Sequence, residues 1–305
     1  MKHVRFVHLH VHSHYSLLDG LGKIPELVSR AKELGMDALA LTDHGALYGA
    51  IEFYQECTKA GIKPIIGMEA YIAPNRMTDR RPRIDDRYSH LTLLAANLEG
   101  YRNLMILTTR AHLDGFYYKP RIDKDLLRQH AAGLMGLSGC LHSEIAQALT
   151  ADDGAKAEAL AREYRDIFGE GNFYLEVQDH SELPLQDAVN KKLFALSERT
   201  GIPTVATKDT HYIHPDDAEA QDILLAIQTG RTITDPTRFS MRGTDYSLAS
   251  PEAITAAFAD HPEAIAATAA IADRCALTLE LGKWNFPAVE LPPGETPASE
   301  LRRRA

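Results

Sequence analysis

Short apolar runs separated by amphipathic stretches follow one another along most of the chain. Seven of these runs have the length of buried strands, at residues 5–9, 38–42, 64–69, 91–95, 134–138, 173–177 and 204–207. The stretches at residues 24–34, 49–60 and 156–168 carry apolar residues at helical spacing. This alternation predicts βα units and an α/β fold. With seven strands we expect a closed or distorted barrel, although the pattern also permits an open doubly wound sheet.

One connection breaks the alternation. Between Glu69 and His90 the chain is polar, rich in Arg and Asp, and without helical period. A strand that follows without a crossover helix is expected to pair antiparallel with its predecessor. The start of the fourth strand, at His90, should therefore lie on the same face of the barrel as Glu69.

The C-terminal third differs in character. Residues 216–273 are alanine-rich and predict a largely helical region. After about residue 281 the chain is Pro-rich, and a helix begins at the sequence ETPASEL (295–301) and soon stops. We interpret residues 1–280 as one domain and residues 281–305 as the truncated start of a further domain.

Composition restricts the class of protein. With 45% hydrophobic and 25% charged residues, the 305-residue chain is typical of a globular protein. No apolar run reaches about 18 residues and no signal peptide is evident, so we expect a cytoplasmic protein without a membrane partner. Three widely spaced cysteines argue against a disulfide framework. The net charge of −9 argues against tight nonspecific binding of nucleic acid by this chain alone, but leaves a local basic patch possible.

Histidines alternate through the first predicted strand, at His8, His10, His12 and His14. Alternation places them on one side of an extended chain. Neutral imidazole is a common ligand of transition metals, so the pattern indicates a metal site, with an accidental surface cluster as the alternative. We expect His8 either to support a ligand or to pack within the barrel, and His14 to lie in a loop.

Residues whose side chains commonly bind metals also lie at the ends of four later strands or directly after them. Asp43 and His44 follow the second strand, Glu69 ends the third, Cys140 follows the fifth, and Asp209 and His211 follow the seventh. Any one of these residues is a plausible cap or loop residue by itself. Active sites form at the C-terminal ends of barrel strands, so the repetition predicts one shared site.

Histidine, carboxylate and thiolate ligands together favour zinc, or another divalent ion such as manganese. Two ions about 3.5–4 Å apart suit phosphoryl chemistry, because one activates a water and both stabilise the charge that develops. Phosphoester hydrolysis is therefore the predicted reaction class, with amide hydrolysis as the alternative.

The motifs resemble those of the polymerase and histidinol phosphatase (PHP) superfamily. They are His10-Val-His12, Thr42-Asp43-His44-Gly45, the strand end at Glu69, Ser138-Gly-Cys140 and Asp209-Thr-His211. Longer stretches, among them HSHYSLLDG (12–20), HLTLLAANLEGYRNL (90–104) and GLSGCLHSEI (136–145), are similar to the N-terminal PHP domains of bacterial DNA polymerase III alpha subunits. The resemblance runs from about His8 to the end of the chain.

The resemblance implies a distorted seven-stranded (β/α)7 PHP barrel that holds two or three divalent ions, zinc or manganese. The implied ligands are His10, His12, Asp19, His44, Glu69, His90, Cys140, Asp209 and His211. Glu69 would bridge two ions, and Asp19, Glu69 and Asp209 would be the catalytic carboxylates. The full set of ligands is present, which favours retained metal binding.

By the same resemblance, the chain is expected to be the PHP domain of a replicative DNA polymerase and to act as a metal-dependent 3′–5′ exonuclease in proofreading. Its partners would be the 3′ end of the primer DNA and other replisome subunits. Residues 281–305 would begin the palm and thumb region, and the polymerase active site would lie outside these 305 residues. A phosphatase acting on a small phosphomonoester and a non-catalytic metal-binding scaffold are the alternatives.

Other residues near the predicted site have less certain roles. His180, after the sixth strand, and Lys208, beside Asp209, are predicted substrate contacts, with packing or solvent as alternatives. Asp43 either orients a ligating histidine or caps a turn. The segment at residues 117–121, with two tyrosines and two cations, is a nucleic-acid contact or, preferably, a surface turn.

Overall fold

The computed structural model of the chain describes residues 5–180, 182–284 and 290–305. Its strands are β1 (Ala38–Leu41), β2 (Lys63–Ile72), β3 (Ser89–Ala95), β4 (Phe116–Tyr117), β5 (Lys119–Ile122), β6 (Leu134–Leu137), β7 (Phe173–Gln178) and β8 (Thr204–Thr207). Around the curled sheet the hydrogen-bonded order is β1, β2, β3, β6, β7, β8, and β5 extends the second half of β2. The predicted α/β class is confirmed.

An extended N-terminal segment, residues 8–12, closes the sheet between β8 and β1. The amide of His12 donates to the carbonyl of Thr210 (2.8 Å), and the amide of Thr210 donates to the carbonyl of His10 (3.1 Å). On the other side the amide of Ala40 donates to the carbonyl of His8 (2.9 Å). With this segment the barrel has seven members, as predicted. The strand predicted at residues 5–9 is not a regular strand, because the pairing lies further along, at residues 8–12.

The antiparallel pairing that the missing crossover helix predicted is confirmed. β3 runs antiparallel to both of its neighbours, β2 and β6, whereas the other barrel pairs are parallel. In the register of β2 and β3, Glu69 lies opposite Thr92, and Tyr71 lies opposite His90. The same end of the barrel therefore receives the end of β2 and the beginning of β3.

A short hairpin, β4 and β5, was not predicted as regular structure. Arg121 of β5 is fully buried, and its guanidinium group donates to the carbonyls of Gly115 (3.1 Å), Met77 (3.0 Å) and Asp79 (2.9 Å). One side chain thus fastens the long loop between β2 and β3 to the hairpin. Tyr118, at the tip of the hairpin, has a φ of +61° and is largely exposed.

The helices cover the outside of the barrel. They are α1 (Ile24–Glu33), α2 (Ala50–Ala60), α3 (Leu98–Leu113), α4 (Lys124–Gln129), α5 (Glu144–Thr150), α6 (Gly154–Phe168), α7 (Pro184–Thr200), α8 (Ala218–Thr229), α9 (Pro251–Ala257), α10 (Pro262–Arg274) and α11 (Pro297–Arg304), with a 3-10 helix at Pro215–Asp217. The three helices expected between strands are confirmed as α1, α2 and α6. Side-chain caps begin several of them: Asn97 accepts from Gly100 N at the start of α3, and Ser143 accepts from Ala146 N at the start of α5.

The region 216–273 is helical only in part. Gly230, in the left-handed conformation, ends α8, and residues 230–250 then run without regular helix to α9. The predicted helix near residue 295 is present as α11. Residues 285–289, within the Pro-rich stretch, lie outside the described residues.

Apolar side chains fill two layers. The larger cluster packs the helices against the outward-facing residues of the strands, such as Leu39, Leu93 and Leu175. The smaller cluster contains alternate strand residues, among them Ala40 and Leu94, together with residues of α10. Helix α10 thus closes one end of the barrel with apolar side chains, and the polar residues described below occupy the other end. Across the described ranges, no helix has the length and apolar character needed to span a bilayer.

Candidate metal centre

The open end of the barrel brings together all nine residues for which the sequence predicts metal ligation. They are His10, His12, Asp19, His44, Glu69, His90, Cys140, Asp209 and His211, and each has an atom within 3.7 Å of another member of the set. They come from the N-terminal segment and its loop, from β2 and β3, and from the residues that follow β1, β6 and β8. Residues far apart in sequence therefore form one compact cluster.

Glu69 lies at the centre of this cluster and is buried. Its Oε1 is 2.9 Å from His90 Nδ1 and 3.5 Å from His10 Nε2. Its Oε2 is 2.7 Å from His44 Nδ1 and 3.5 Å from His12 Nε2. Each oxygen of the carboxylate therefore faces a different pair of imidazoles.

Asp209 faces the same centre from the other side. Its Oδ1 is 3.3 Å from the Nε2 atoms of both His10 and His12. The residue follows β8 with a φ of +54°, a left-handed conformation that aspartate tolerates better than most residues. This turn directs the carboxylate into the barrel instead of along the strand.

Asp19 and Cys140 lie at the edge of the cluster. Asp19 Oδ2 is 3.0 Å from His44 Nε2, and Asp19 Oδ1 is 3.7 Å from His211 Nε2. Cys140 Sγ is 3.7 Å from Oε1 of Glu69. The loop that carries Asp19 depends on Gly20, where a Cβ atom would collide with the carbonyl oxygen of Ser13.

Several atoms that converge on the cluster are buried without a hydrogen-bond partner among the described residues. They are Nε2 of His10, Nε2 of His12, Oδ1 of Asp19 and Oδ1 of Asp209. A buried polar atom left unpaired is costly, and coordination of a cation removes that cost. The donor set of imidazoles, carboxylates and one thiol also fits a divalent metal ion.

In the part of the chain that the structure describes, three groups of atoms are each close enough to hold an ion. They are His12, His44 and His211; His10, His12 and Glu69; and His44, Glu69 and His90, with the ligand atoms of each group within 4.8 Å of one another. The groups share members, so neighbouring ions would share ligands.

Imidazoles and carboxylates of the cluster shift one another's pKa values. Although burial opposes its protonation, the carboxylates of Glu69 and Asp19 raise the pKa of His44 to about 10. Burial, reinforced by His44 and His211, lowers the pKa of His12 to about 3. Burial tends to raise the pKa of Glu69, but the imidazoles of His90, His44 and His10 hold it well below its usual value. Bound cations would supply positive charge beside the same carboxylates.

Two buried groups that the sequence analysis did not single out orient the histidines. Glu176 Oε1 is 2.6 Å from Nδ1 of His10. Ser16 Oγ is 2.9 Å from Nδ1 of His12 and donates to Asp43 (2.7 Å). Asp43 was predicted to orient the adjacent His44 or to cap a turn, whereas its carboxylate accepts from Ser16, the residue that contacts His12. A carboxylate within the apolar strand at residues 173–177 was a visible signal for Glu176, whereas nothing in the sequence marked Ser16.

The cluster opens into a cavity of about 470 Å³. Its outer walls carry the aromatic rings of Tyr88, Phe239 and Tyr246 and the cations of Lys119 and Arg242. Phe239 and Arg242 belong to the irregular segment between α8 and α9, and Lys119 belongs to the hairpin. The elements whose structure the sequence did not predict therefore form the mouth of the site.

His180 and Lys208 lie beside the cavity but do not border it. The ring of His180 packs against that of Tyr246, with centroids 4.1 Å apart. The amino group of Lys208 is buried and pairs with Asp179 Oδ2 at 3.0 Å. Contact with a substrate would require this ion pair to break. His8 packs within the barrel as expected, with Nε2 2.9 Å from the carbonyl oxygen of Ala249.

Comparison with known proteins gives a consistent result. The model of the PHP domain family matches residues 8–180. The DNA polymerase III subunit alpha of Treponema pallidum is 45% identical over 293 residues, which cover 96% of this chain and 25% of that protein. The subunit of Thermus aquaticus is 43% identical over 98% of this chain and 25% of its own length.

An amidohydrolase structure from Chromobacterium violaceum matches with a TM-score of 0.46 and 16% identity, over 67% of this chain and 87% of that one. The chain spans about a quarter of the length of the curated relatives.

Proposed function

The chain belongs to the PHP domain family, and from that premise we propose that it is a metal-dependent phosphoesterase, the PHP domain of a bacterial DNA polymerase III alpha subunit. The observation that supports this most strongly is the cluster around Glu69, in which buried ligand atoms converge without hydrogen-bond partners among the described residues. Its relatives are polymerase subunits, which supports the assignment to DNA replication.

We propose that the nine clustered residues hold two or three divalent ions, zinc or manganese, with Glu69 as the bridge. When bound, such ions would supply an activated water and neutralise the charge that develops on a phosphoryl group. The carboxylates of Asp19, Glu69 and Asp209 would hold this water and its protons in position, because each faces the cavity.

The proposed substrate is the 3′ end of DNA, which the domain would shorten as a 3′–5′ exonuclease in proofreading. The cavity walls support this choice over a small phosphomonoester. Aromatic rings such as Tyr88 and Phe239 suit the stacking of a base, and Lys119 and Arg242 suit the phosphates that flank a scissile diester. DNA and other replisome subunits would be the partners of the whole polymerase in the cytoplasm.

The proposed domain division follows from the same assignment. Residues 1–280 would form the PHP domain, and residues 281–305, which include α11, would begin the palm and thumb region. We propose no polymerase chemistry for this chain.

The test is the metal content of the untagged chain, purified without chelator, by plasma mass spectrometry. We expect two or three ions per chain, lost in the double variant His12→Ala, Asp209→Asn. A matched control is His14→Ala, Asp86→Asn, which removes a histidine and an aspartate outside the cluster and should keep the ions. The loaded chain should then release 3′ nucleotides from primed DNA, and the first variant should not.

Each other result has a definite meaning. Absence of metal in the unmodified chain would overturn the catalytic proposal and favour a scaffold. Hydrolysis of small phosphomonoesters without attack on DNA would favour the phosphatase. Bound metal without either activity would favour a metal-stabilised scaffold.

A further inference from the structure

We propose that Glu176 is a positioning residue of the metal centre: it sets the tautomer and ring orientation of His10 and holds the loop that carries Cys140. The proposal rests on the metal site proposed above. Glu176 lies on β7, and its side chain has no exposed surface. It was not among the residues that the sequence singled out.

The carboxylate group is surrounded by donors. Oε1 is 2.6 Å from His10 Nδ1 and accepts from Thr207 Oγ1 at 2.7 Å. Oε2 accepts from the amide of Gly139 at 3.0 Å and from Thr92 Oγ1 at 3.2 Å. These partners belong to the N-terminal segment, β8, the turn after β6, and β3. One side chain therefore connects four other members of the barrel directly beneath the cluster.

The contact with His10 determines which ring nitrogen is free. A carboxylate oxygen at 2.6 Å accepts a proton from Nδ1, so Nε2 keeps its lone pair. Nε2 points to the centre of the cluster, 3.5 Å from Glu69 and 3.3 Å from Asp209, and has no hydrogen-bond partner among the described residues. This is the tautomer that a metal ligand needs, and a carboxylate on the other nitrogen also makes imidazole a stronger ligand.

The contact with Gly139 acts on a second proposed ligand. Gly139 immediately precedes Cys140 and has a φ of +87°, and a Cβ atom there would lie 2.9 Å from the carbonyl oxygen of His90. The turn therefore has little room to move, and its amide is directed at Glu176. Through His10 and Gly139, the same carboxylate supports ligands on two sides of the centre.

An amide in place of the carboxylate, as in Glu176→Gln, cannot satisfy both sides. If the amide nitrogen took the position of Oε1, it would face Nδ1 of His10, and the imidazole proton would have to move to Nε2 and block the metal. If the nitrogen took the position of Oε2, it would face the backbone amide of Gly139, donor against donor, and displace the turn before Cys140. In either arrangement we expect metal affinity to fall, although glutamine has nearly the shape of glutamate.

The test compares Glu176→Gln with Asp85→Asn. Asp85 is an equally buried carboxylate that accepts from Arg81 and Asn75 in the loop between β2 and β3, away from the cluster. The affinity for Zn²⁺ is measured by competition with a chromophoric chelator. We expect Glu176→Gln to bind Zn²⁺ about 10–100-fold more weakly, and Asp85→Asn to bind it as the unmodified chain does. Equal affinity in Glu176→Gln would overturn the proposal.

A second measurement needs no variant at position 176. In the chain labelled with ¹⁵N-histidine, nitrogen chemical shifts and couplings report the tautomer of His10, whose signals are assigned by their loss in His10→Ala. We expect a proton on Nδ1, with or without Zn²⁺. A proton on Nε2 alone would overturn the role of Glu176, even if Glu176→Gln does not fold. If the unmodified chain binds no Zn²⁺, the proposed metal site fails, and the tautomer still tests the contact with Glu176.

Discussion

In two histidines besides His10, the ring nitrogen that points away from the centre of the cluster contacts a hydrogen-bond acceptor. Nδ1 of His211 donates to the carbonyl of Asp209 at 2.8 Å, and Nδ1 of His12 lies 2.9 Å from Ser16 Oγ. Because the hydroxyl of Ser16 donates to Asp43, it accepts from His12. In each case Nε2 is left for the cluster. At the scale of single residues, the proposed site therefore depends on acceptor atoms that are not themselves proposed metal-ligand atoms.

Cys140 provides a spectroscopic prediction. Burial and the charges of Glu69 and Asp209 raise the pKa of its thiol well above the ordinary value. A divalent ion reverses this effect, because a coordinated thiol is deprotonated. We therefore expect the chain loaded with Co²⁺ to show a near-ultraviolet thiolate-to-cobalt band that disappears in Cys140→Ser.

The other cysteines serve as controls. Burial raises the pKa of Cys57 and of Cys275 to about 12, and both lie in the apolar clusters. Cys57→Ser and Cys275→Ser should therefore keep the cobalt band. A band that persists in Cys140→Ser would remove this residue from the proposed ligand set.

At the scale of elements, the segment between α8 and α9 is anchored by a buried ion pair. Arg238 donates to Asp222 of α8 (2.7 Å), and Ser240 Oγ donates to the same carboxylate (2.6 Å). The side chains of Asp222 and Arg238 are 1% and 7% exposed. These bonds place Phe239 and Arg242 at the mouth of the cavity.

Replacement of this carboxylate should loosen the segment. We expect Asp222→Asn to lower the free energy of unfolding at neutral pH by more than the loss of an exposed ion pair does, because it leaves the guanidinium group of Arg238 without its charge partner. Urea unfolding measures the loss, and faster amide exchange at residues 238–242 would locate it. Asp187→Asn, which removes an exposed pair with Lys191, should cost less than about 0.5 kcal/mol. Equal losses in the two variants would contradict the anchoring role.

The pH dependence of this difference has a definite sign. The hydrogen bond from Arg238 lowers the pKa of Asp222 below its ordinary value of 3.8. The pair therefore stabilises the fold fully above that value, and the contribution is lost as the pH falls through the lowered pKa. The free energies of unfolding of Asp222→Asn and the unmodified chain should be equal at pH values below the lowered pKa of Asp222. The difference between them should grow as the pH rises through that pKa.

At the scale of the whole molecule, the proposed metal centre joins β1, β2, β3, β6, β8 and the N-terminal segment at one end of the barrel. Because the unfolded chain cannot hold these ligands together, bound metal should stabilise the fold. With free Zn²⁺ at about 100 times the dissociation constant, the expected gain is about 2.7 kcal/mol. Removal of metal with a chelator should lower the melting temperature of the chain, and added Zn²⁺ should restore it. The double variant His12→Ala, Asp209→Asn should not respond to either treatment.

The sequence predicted the barrel from local patterns alone, whereas the complete set of nine clustered residues, Asp19 and His90 among them, was implied by the resemblance to the PHP superfamily. Apolar runs alternating with amphipathic helices specify βα units, and residues that follow successive strands meet at one end of such a barrel. Even the one antiparallel strand followed from a connection without helical period, between Glu69 and His90.

Only the tertiary structure revealed the contacts between segments that are distant in sequence. Glu176 and Ser16 orient their histidines through hydrogen bonds, and one of these joins residues 166 positions apart, which no local pattern encodes. The buried Arg121 and the pair of Asp222 and Arg238 shape a hairpin and an irregular segment whose sequences resemble ordinary surface loops. Periodicity records which face of an element is buried, but not which polar atom on another element it meets. The strands and the strand-end residues were therefore evident in the sequence, and the resemblance to the PHP superfamily completed the predicted cluster, whereas the groups that contact these residues and form the cavity mouth required the folded chain.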